Sequence, residues 1–526
     1  MKSNQSKFSF RQRKKMGETK HATQHASQPE PTVTKQICVH VADCRHQLEQ
    51  DWFHCDDLMM KEIRNEANGF LVVWLCGLID DELMQNGILT SLTLMLDTEH
   101  KHFEHIENHL SVGSLHRINQ FDIVNESLAN GKVVIFVEGS EVALAADVSK
   151  FPGMSVEVSQ NEPSIQGPQE AFTQNQDMNI AQVRKIIRSH RLKVLLRHAG
   201  RLSNTPVALI YVEGVLKQTH LQEAEERLSR LDIDMISDVN TLQEVLRDGP
   251  YSAFPTMEST ERPDRVAAAV AQGRLGIMVD GTSYCILVPS LFVNFLSSAE
   301  DYYGNYMISL PIRLLRHMAF WAAMLLPAIY LSLLSYNQDL IPTPLLINLE
   351  SQHEGIPFPT VIETMGMQFA FEALREAGIR LPKAVGQSVS IVGALVIGEA
   401  AVTAGMVSPG IVIVIASSGV ASFVIPSYSM VSTARILQFA FTLAAAIFGL
   451  YGLVLGMILL LLHLVSLRSW GVPYMSPIAP FDYKGMQDTF FRSPWWHMST
   501  RPAAFEPINK TRSRMTRPKP RRGNQT

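Results

Sequence analysis

The sequence predicts two copies of an α/β or α+β unit followed by an α-helical membrane domain with several spans. Three observations carry this reading. The ten-residue phrase Gly131 to Ser140 (GKVVIFVEGS) returns as Gly273 to Thr282 (GRLGIMVDGT). Residues 388–426 contain a single charged side chain, Glu399, over a length that suits two bilayer crossings of roughly 20 residues each. At 526 residues the chain also exceeds what one core organises, roughly 250 to 300 residues.

In chain order, residues 1–38 are rich in Gln, Ser, Lys, His and Pro and read as a disordered tail. From about Val39 to Val293, short Val/Ile/Leu runs alternate with amphipathic helices. This divides into a first cytoplasmic unit over 39–158, a connector over 159–182 and a second unit over 183–296. Each repeated phrase reads as strand, acidic-Gly turn and strand, because Gly139 and Gly281 accept the positive φ of a hairpin turn. Upstream, Phe70 to Gly77 (FLVVWLCG) is echoed by Val207 to Gly214 (VALIYVEG), each followed by a helix. Pro163, Gly167 and Pro168 mark the connector as irregular.

Several clusters invite a chemical reading and have a simpler one. Cys38, His40, Cys44, His54 and Cys55 match no standard zinc spacing, and the five cysteines show no paired framework, as expected of thiols in a reducing compartment. His100, His102, His105 and His109 alternate with Glu99, Glu104 and Glu107 and read as an exposed charged helix. The run Arg184, Lys185, Arg188, His190, Arg191, Lys193 and Arg197 reads as a solvated helix face, without the aromatic interleaving that favours nucleic acid. No phosphate loop, zinc-protease or serine-hydrolase motif appears, so no enzyme activity, cofactor or metal is assigned.

The membrane domain is expected over 297–480. Arg313 and Arg316 precede a first span at 317–334 and place that side in the cytoplasm. Residues 359–378 interleave Ile362, Phe369 and Leu374 with Glu363, Glu372, Arg375 and Glu376, the pattern of an amphipathic helix lying along or capping the outer side of the bundle. Further spans are read at 388–407 and 410–427, parted by Ser408-Pro409-Gly410, and at 436–467. The last is too long for one straight crossing: Gly449, Gly452 and Gly456 either kink it or divide it into two short passes. No apolar stretch follows the basic residues at the start, so no signal peptide is read. Residues 481–526 form a basic cytoplasmic tail, and two cytoplasmic ends require an even number of spans, here four.

On the second span, Gly393, Gly398, Ala401 and Gly405 recur near helical spacing and admit another helix closely. Glu399 lies beside that stripe, and a carboxylate at mid-membrane must face protein or water. The helix is therefore either a conduction element or a packing helix whose carboxylate bonds a neighbour.

A series of phrases, taken in order, resembles one family. They are Val137-Glu138-Gly139-Ser140, the connector from Glu162-Pro163 to Gly167-Pro168 with Glu170-Ala171-Phe172, Phe254-Pro255-Thr256 and Glu261-Arg262-Pro263-Asp264. There follow Val279-Asp280-Gly281-Thr282, Glu300-Asp301-Tyr302-Tyr303, Ile356-Pro357-Phe358-Pro359, Arg375 to Pro382 (REAGIRLP), Ile391 to Gly398 (IVGALVIG) and Gly471-Val472-Pro473-Tyr474. From about Phe136 to Pro480 the chain resembles the A subunit of the GerA-type spore germination receptors of endospore-forming bacteria.

The resemblance implies a two-part domain facing the spore core and a multi-pass domain in the spore inner membrane, both termini being cytoplasmic. It implies a transporter-like B subunit that senses the nutrient, a lipoprotein C subunit, and a homo-oligomer, a pentamer, forming a ligand-gated channel that releases cations. A SpoVA-associated paralogue that amplifies ion release, and a non-conducting scaffold subunit, are the alternatives. If the second span lines a pore, Val392, Leu395, Val396 and Val402 form an apolar constriction that gates by excluding water. A ring of Glu399 then concentrates cations, as do Glu363, Glu372 and Glu376 at an outer vestibule, while Gly452 and Gly456 serve helix packing. Glu399 departs from the family, in which an uncharged residue, commonly Gln, is expected. Gln169 likewise stands in place of a basic residue.

Overall fold

The computed structural model describes residues 35–65, 69–96, 106–107, 109–110, 112–150, 159, 161–381, 396 and 398–517. His100, His102, His105, Val392, Gly393 and Leu395 lie outside them, as does the expected tail up to residue 34. The rest of that tail already belongs to the first unit: Gln36 bridges to Gln120, and Ile37 is buried.

Strands β1 (Leu58–Arg64), β2 (Gly69–Leu75), β3 (Leu115–Ile118), β4 (Val133–Val137) and β5 (Ala143–Ala146) form a sheet in the order β1-β2-β4-β5-β3. Strands β6 (Leu192–Ala199), β7 (Thr205–Val212), β8 (Glu258–Thr260), β9 (Leu275–Val279) and β10 (Cys285–Val288) repeat it as β6-β7-β9-β10-β8. All neighbouring pairs are antiparallel, so both units are α+β. The two echoes in the sequence share one register: Val72 pairs with Ile135 in the first sheet and Leu209 with Ile277 in the second.

Strand β2 is a continuous apolar run because helices cover both faces of its sheet. Leu71, Val73 and Leu75 pack toward helices Val41–Asp51 and Phe121–Ala129. Phe70 and Val72 pack toward the helical stretch that begins at Asp81. The second unit is layered alike: Val207 and Leu209 face helices Gln218–Ser229 and Val239–Leu246, and Ala208 and Ile210 face Gln176–Ile186 and Pro263–Ala271. Each fully buried aliphatic side chain contributes ~1.5 to 3 kcal/mol, so these layers dominate the stability of both units.

The acidic residue of each hairpin turn also has a task. Glu138 accepts the backbone N–H of Val41 at 3.1 Å, and the next residue, Gly139, donates to the Val39 carbonyl at 2.9 Å. Asp280 accepts the N–H of Gln176 at 3.3 Å, and Gly281 donates to the Gln174 carbonyl at 2.9 Å. Each turn thus docks the N-terminus of the helix that opens its own repeat, where a carboxylate satisfies an orphan donor. Gly139 and Gly281 hold φ of 83° and 81° to present the preceding acid. The second repeat therefore opens with helix Gln176–Ile186, ahead of the boundary expected at residue 183.

The basic run is not a solvated face. Helix Gln176–Ile186 ends before His190, and Lys193 and Arg197 lie on strand β6. Arg184 is fully buried on Asp57, and Lys193, also buried, donates to the Asp51 carbonyl at 2.9 Å. Asp57 and the Asp51 carbonyl of the first unit, with Glu213 of the second 3.2 Å from the Lys193 ammonium, make these burials tolerable. The cysteine and histidine set likewise serves packing: Cys44 donates to the Cys38 carbonyl, Cys55 to that of Leu192, and His54 contacts the Tyr211 hydroxyl. Burial pushes the Cys44 thiol up to about 12.

The helical part begins with Tyr306–Ser335, the first long helix. A polar helix, Thr360–Arg380, follows, then a helical piece over 398–403, a short apolar helix, Pro409–Phe423, and the helical stretch Tyr428–Ser466. The first long helix and Tyr428–Ser466 are long and apolar enough to cross a membrane.

The last stretch is folded in two. Gly449 adopts φ 59°, ψ −140°, and the limbs on either side meet: a side chain at Gly456 would lie 2.9 Å from the Phe441 ring. Thr433 donates to the Ala253 carbonyl at 2.7 Å, and His463 contacts the Ser252 hydroxyl at 2.8 Å, so both limbs end at one loop of the second unit. A straight helix would set Thr433 and His463 about 45 Å apart. Of the two readings the glycines allowed, the division into two antiparallel limbs is the one observed. The tip rests against the outer end of the first long helix, where the Tyr336 hydroxyl donates to the Ala446 carbonyl at 2.6 Å.

The polar helix, expected over 359–378 to lie along or cap the bundle, runs lengthwise beside the first limb: Gln368 donates to Thr442 at 2.8 Å, and Glu372 pairs with Arg435 at 2.5 Å. Its charges are placed by partners inside the bundle, which amphipathic periodicity alone does not reveal.

Candidate functional site

Several of the phrases singled out in the sequence converge on one place, the junction between the second sheet unit and the helices. The connector is strapped to the loop after β8. Glu261 accepts the Ser159 hydroxyl at 2.5 Å and the N–H groups of Asn161 and Glu162 at 2.7 and 3.0 Å. Arg262 donates to the Pro168 carbonyl at 2.9 Å and pairs with Asp264 at 2.8 Å. Asp264 in turn accepts the Tyr303 hydroxyl, and Glu300 accepts the N–H of Ile165. Burial raises the Asp264 carboxyl, but the hydrogen bonds from Arg262 and the Tyr303 hydroxyl, with the charge of Arg262, outweigh it and hold that carboxyl below the ordinary value.

From Tyr303 the junction passes to the base of the first long helix. Asp301, buried, accepts from Arg313 at 3.1 Å and from Arg316 at 2.7 Å. Arg313 also reaches Asp488 at 2.9 Å, and Tyr302 donates to the same carboxylate at 2.7 Å. The two arginines read from sequence as topology markers are thus the centre of a buried ion network. A buried charge is tolerated only when paired this fully, and removing one partner strands the others.

An aromatic contact completes the junction. Phe254, Phe292 and Tyr474 pack with ring centroids 6.1 to 6.5 Å apart. Phe292 donates its N–H to the Tyr474 carbonyl at 2.9 Å, and Ser469 donates to the Thr256 carbonyl at 2.6 Å. The chain after the helices therefore packs against the second unit, with Trp470 buried before the tail expected over 481–526 and Phe505 buried within it.

The residues predicted on the second span are placed differently from one another. Val396 is 56% exposed, Glu399 is exposed and Val402 half-buried on the same piece of helix. Gly398 faces Val412 of the short apolar helix across an ordinary contact. Gly405 follows the helix with φ 64°, a conformation that favours glycine, and among the described residues no atom lies within 4 Å of the missing side chain. Gly452 and Gly456 do pack closely, against the Ala444 carbonyl and the Phe441 ring.

The three expected vestibule carboxylates also part company. Glu363 is buried and accepts the N–H of Ser408 at 3.1 Å, stabilising the break before the short apolar helix. Glu372 is shared between Arg435 and Arg375. Glu376 stands at the surface with Arg380 one turn away.

The family model for the Bacillus/Clostridium GerA spore germination protein matches residues 46–504. The chain belongs to the GerA family of spore germination proteins. Among its relatives, spore germination protein KA of Bacillus subtilis (strain 168) is 38% identical over 88% of this chain and 86% of its own length. The membrane protein YfkQ of the same organism is 38% identical over 86% and 88%. Spore germination protein GerLA of Bacillus cereus is 36% identical over 88% and 97%. The crystal structure of the N-terminal domain of the A subunit of the Bacillus megaterium spore germinant receptor GerK3 is 23% identical, with a TM-score of 0.40, over 49% of this chain and 98% of that one.

This GerA-family chain is a membrane protein of a non-enzymatic family. The phrases are legible in the sequence; their meeting point is not. Aromatic residues just before and within the basic tail, Trp470, Tyr474 and Phe505 among them, were the available signal that this part of the chain packs.

Proposed function

We propose that the chain acts as the A subunit of a germinant receptor in the spore inner membrane, together with a transporter-like B subunit and a lipoprotein C subunit. Several copies, a pentamer in this reading, surround a cation passage lined by the helix that carries Val396, Glu399 and Val402. The observation that carries this is the placement of Val396 and Glu399: an aliphatic and a carboxylate on one helix, both exposed in the isolated chain. A carboxylate on such a helix needs water or protein beside it, which neighbouring copies around an aqueous path supply.

The even span count then rises from four to six, with the polar helix and the second limb of Tyr428–Ser466 as the added crossings. Both termini stay on one side. The junction would transmit the partner's nutrient-bound state to the first long helix, provided the partner binds its ligand differently in the open and closed forms. The test is Val396→Ala measured as cation release from dormant spores. Raised release is expected. Unchanged release for Val392, Leu395, Val396 and Val402 variants alike would remove this helix from the passage and favour the non-conducting scaffold.

A further inference from the structure

The C-terminal segment encloses two adjoining cavities. One, of about 410 Å³, lies between the second sheet unit, the neck and the tail, with Tyr302, Trp495 and Phe505 on its wall. The other, of about 510 Å³, is walled entirely by residues of the tail, from Asp482 to Arg512. Arg512 lines both, its guanidinium 5.1 Å from the centre of the Trp495 ring.

Charge in the second cavity is unbalanced. Lys484, Arg501, Lys510 and Arg512 line it. Its three carboxylates are committed elsewhere: Asp488 to Arg313 and the Tyr302 hydroxyl, Glu506 to Lys217, and Asp482 to the backbone N–H groups of Lys484 and Gly485. Among the described residues none of the four cations has a carboxylate partner. Arg501 is held by the carbonyls of Ala271, Asn509 and Thr511. Burial and, next, the neighbouring Arg512 push its guanidinium below the ordinary value. Four cations against Asp482, the one lining carboxylate without a cation of its own among the described residues, leave a positive excess, which is complementary to an anion.

We propose that these cavities bind a small organic polyanion from the aqueous phase. Its phosphate or carboxylate groups lie among Lys484, Arg501, Lys510 and Arg512, and its apolar body lies toward Trp495 and Phe505. The Arg512 guanidinium suits such groups because it offers paired donors, and Arg501, whose Nε and Nη1 are held by carbonyls, adds its remaining Nη2. A volume of this size is that of a small-molecule site. The aqueous source follows from the floor of the cavity: Arg501 stands on helix Pro263–Ala271 and Ile508 donates to the Val215 carbonyl, so the site rests on the sheet unit and not on the helices. An occupant would brace Asp488 and, through it, Arg313 at the foot of the first long helix, whether or not the helices conduct.

The test uses the full chain in detergent with inorganic pyrophosphate as probe, against sodium chloride of matched ionic strength. Saturable binding is expected, with a change in tryptophan fluorescence that Trp495→Phe removes. The double variant Lys484→Gln with Lys510→Gln, at two exposed positions, should weaken binding roughly tenfold or more. Arg501→Gln should weaken it at least as much. Native affinity in all of these variants, or an equal response to chloride, overturns the proposal. A response seen only with phosphatidylglycerol vesicles, and not with pyrophosphate, overturns the aqueous source in favour of a lipid headgroup.

Discussion

Arg184 and Asp57 form a buried two-point ion pair across the joint between the two sheet units, one of its contacts measuring 2.7 Å. The Arg184 guanidinium lies 5.4 Å from the Trp52 ring centre, so the cation is enclosed on its other side as well. Val194 adds a backbone bridge to Cys55, and the sheets meet as one body at this edge. Asp57→Ala leaves a buried guanidinium without its counter-charge and should destabilise the joint by about 3 to 5 kcal/mol. Asp57→Ala with Arg184→Met should cost less than the single change. Thermal melting of the full chain with hydrogen exchange at Cys55 and Val194 measures both, and equal losses would show that the pair is not coupled.

The fold at Gly449 makes a second expectation. Its φ of 59° and the Tyr336 ring, 2.8 Å from where a side chain would begin, leave no place for another residue. Cysteines introduced at Thr433 and His463 should be linked by a short bifunctional reagent, since both side chains reach the loop Ser252 to Phe254. A straight helix would hold them about 45 Å apart and prevent it. Absence of the link in a chain otherwise folded would refute the antiparallel limbs. Gly449→Leu should reduce the yield of linked product.

What the sequence discloses follows from the range of the forces involved. The duplicated hairpins are legible because Glu138-Gly139 and Asp280-Gly281 encode their turns within two residues. The apolar helices are legible because composition alone decides whether a segment tolerates lipid. Arg184 is not, because its burial depends on Asp57, more than a hundred positions away, and Lys193 is not, because the Asp51 carbonyl, similarly distant, shares it with Glu213 at the next strand's end. Gly449 announces a break but not its angle, which Tyr336 and the loop at Ser252 determine. At the site, Val396 and Glu399 are visible as an anomaly within an apolar helix. The burial of Glu363 against the N–H of Ser408 depends on how two helices meet and leaves no trace in periodicity.

A pH dependence follows from the docking of the first helix. Glu138, hydrogen bonded to His40, raises the imidazole above its ordinary 6.5, and His40 lowers Glu138 below its ordinary 4.5. The raised histidine contributes stability that is complete below 6.5 and lost as pH rises through its value in the folded chain. The lowered carboxylate contributes stability that is complete above 4.5 and lost as pH falls through its folded value. The contact is therefore strongest between these limits. The protection of the Val41 and Gly139 amides, exchange being corrected for its intrinsic pH dependence, should be greatest there and fall toward pH 8, and His40→Asn should flatten the upper slope. Because the pair is exposed, the effect belongs to this contact and leaves global melting nearly unchanged.

Glu372 and Glu376 separate a structural role from a vestibule role. Glu372 meets Arg435 at 2.5 Å and Arg375 at 3.8 Å, and Arg375 also donates to Ser422 at 2.6 Å, so one carboxylate holds two cations between three helices. Glu376, 54% exposed, pairs with Arg380 at 2.7 Å one turn along its own helix, where such pairs are worth about 0.3 to 0.5 kcal/mol. Glu372→Gln should lower the melting temperature of the detergent-solubilised chain by several degrees, since it leaves two neighbouring guanidinium groups facing each other. Glu376→Gln should change it little. If both act as vestibule charges, the two variants should instead reduce cation release from germinating spores alike while melting as the native chain does. Equal melting together with equal loss of release would therefore move Glu372 out of the helix-packing network and onto the path of the ion.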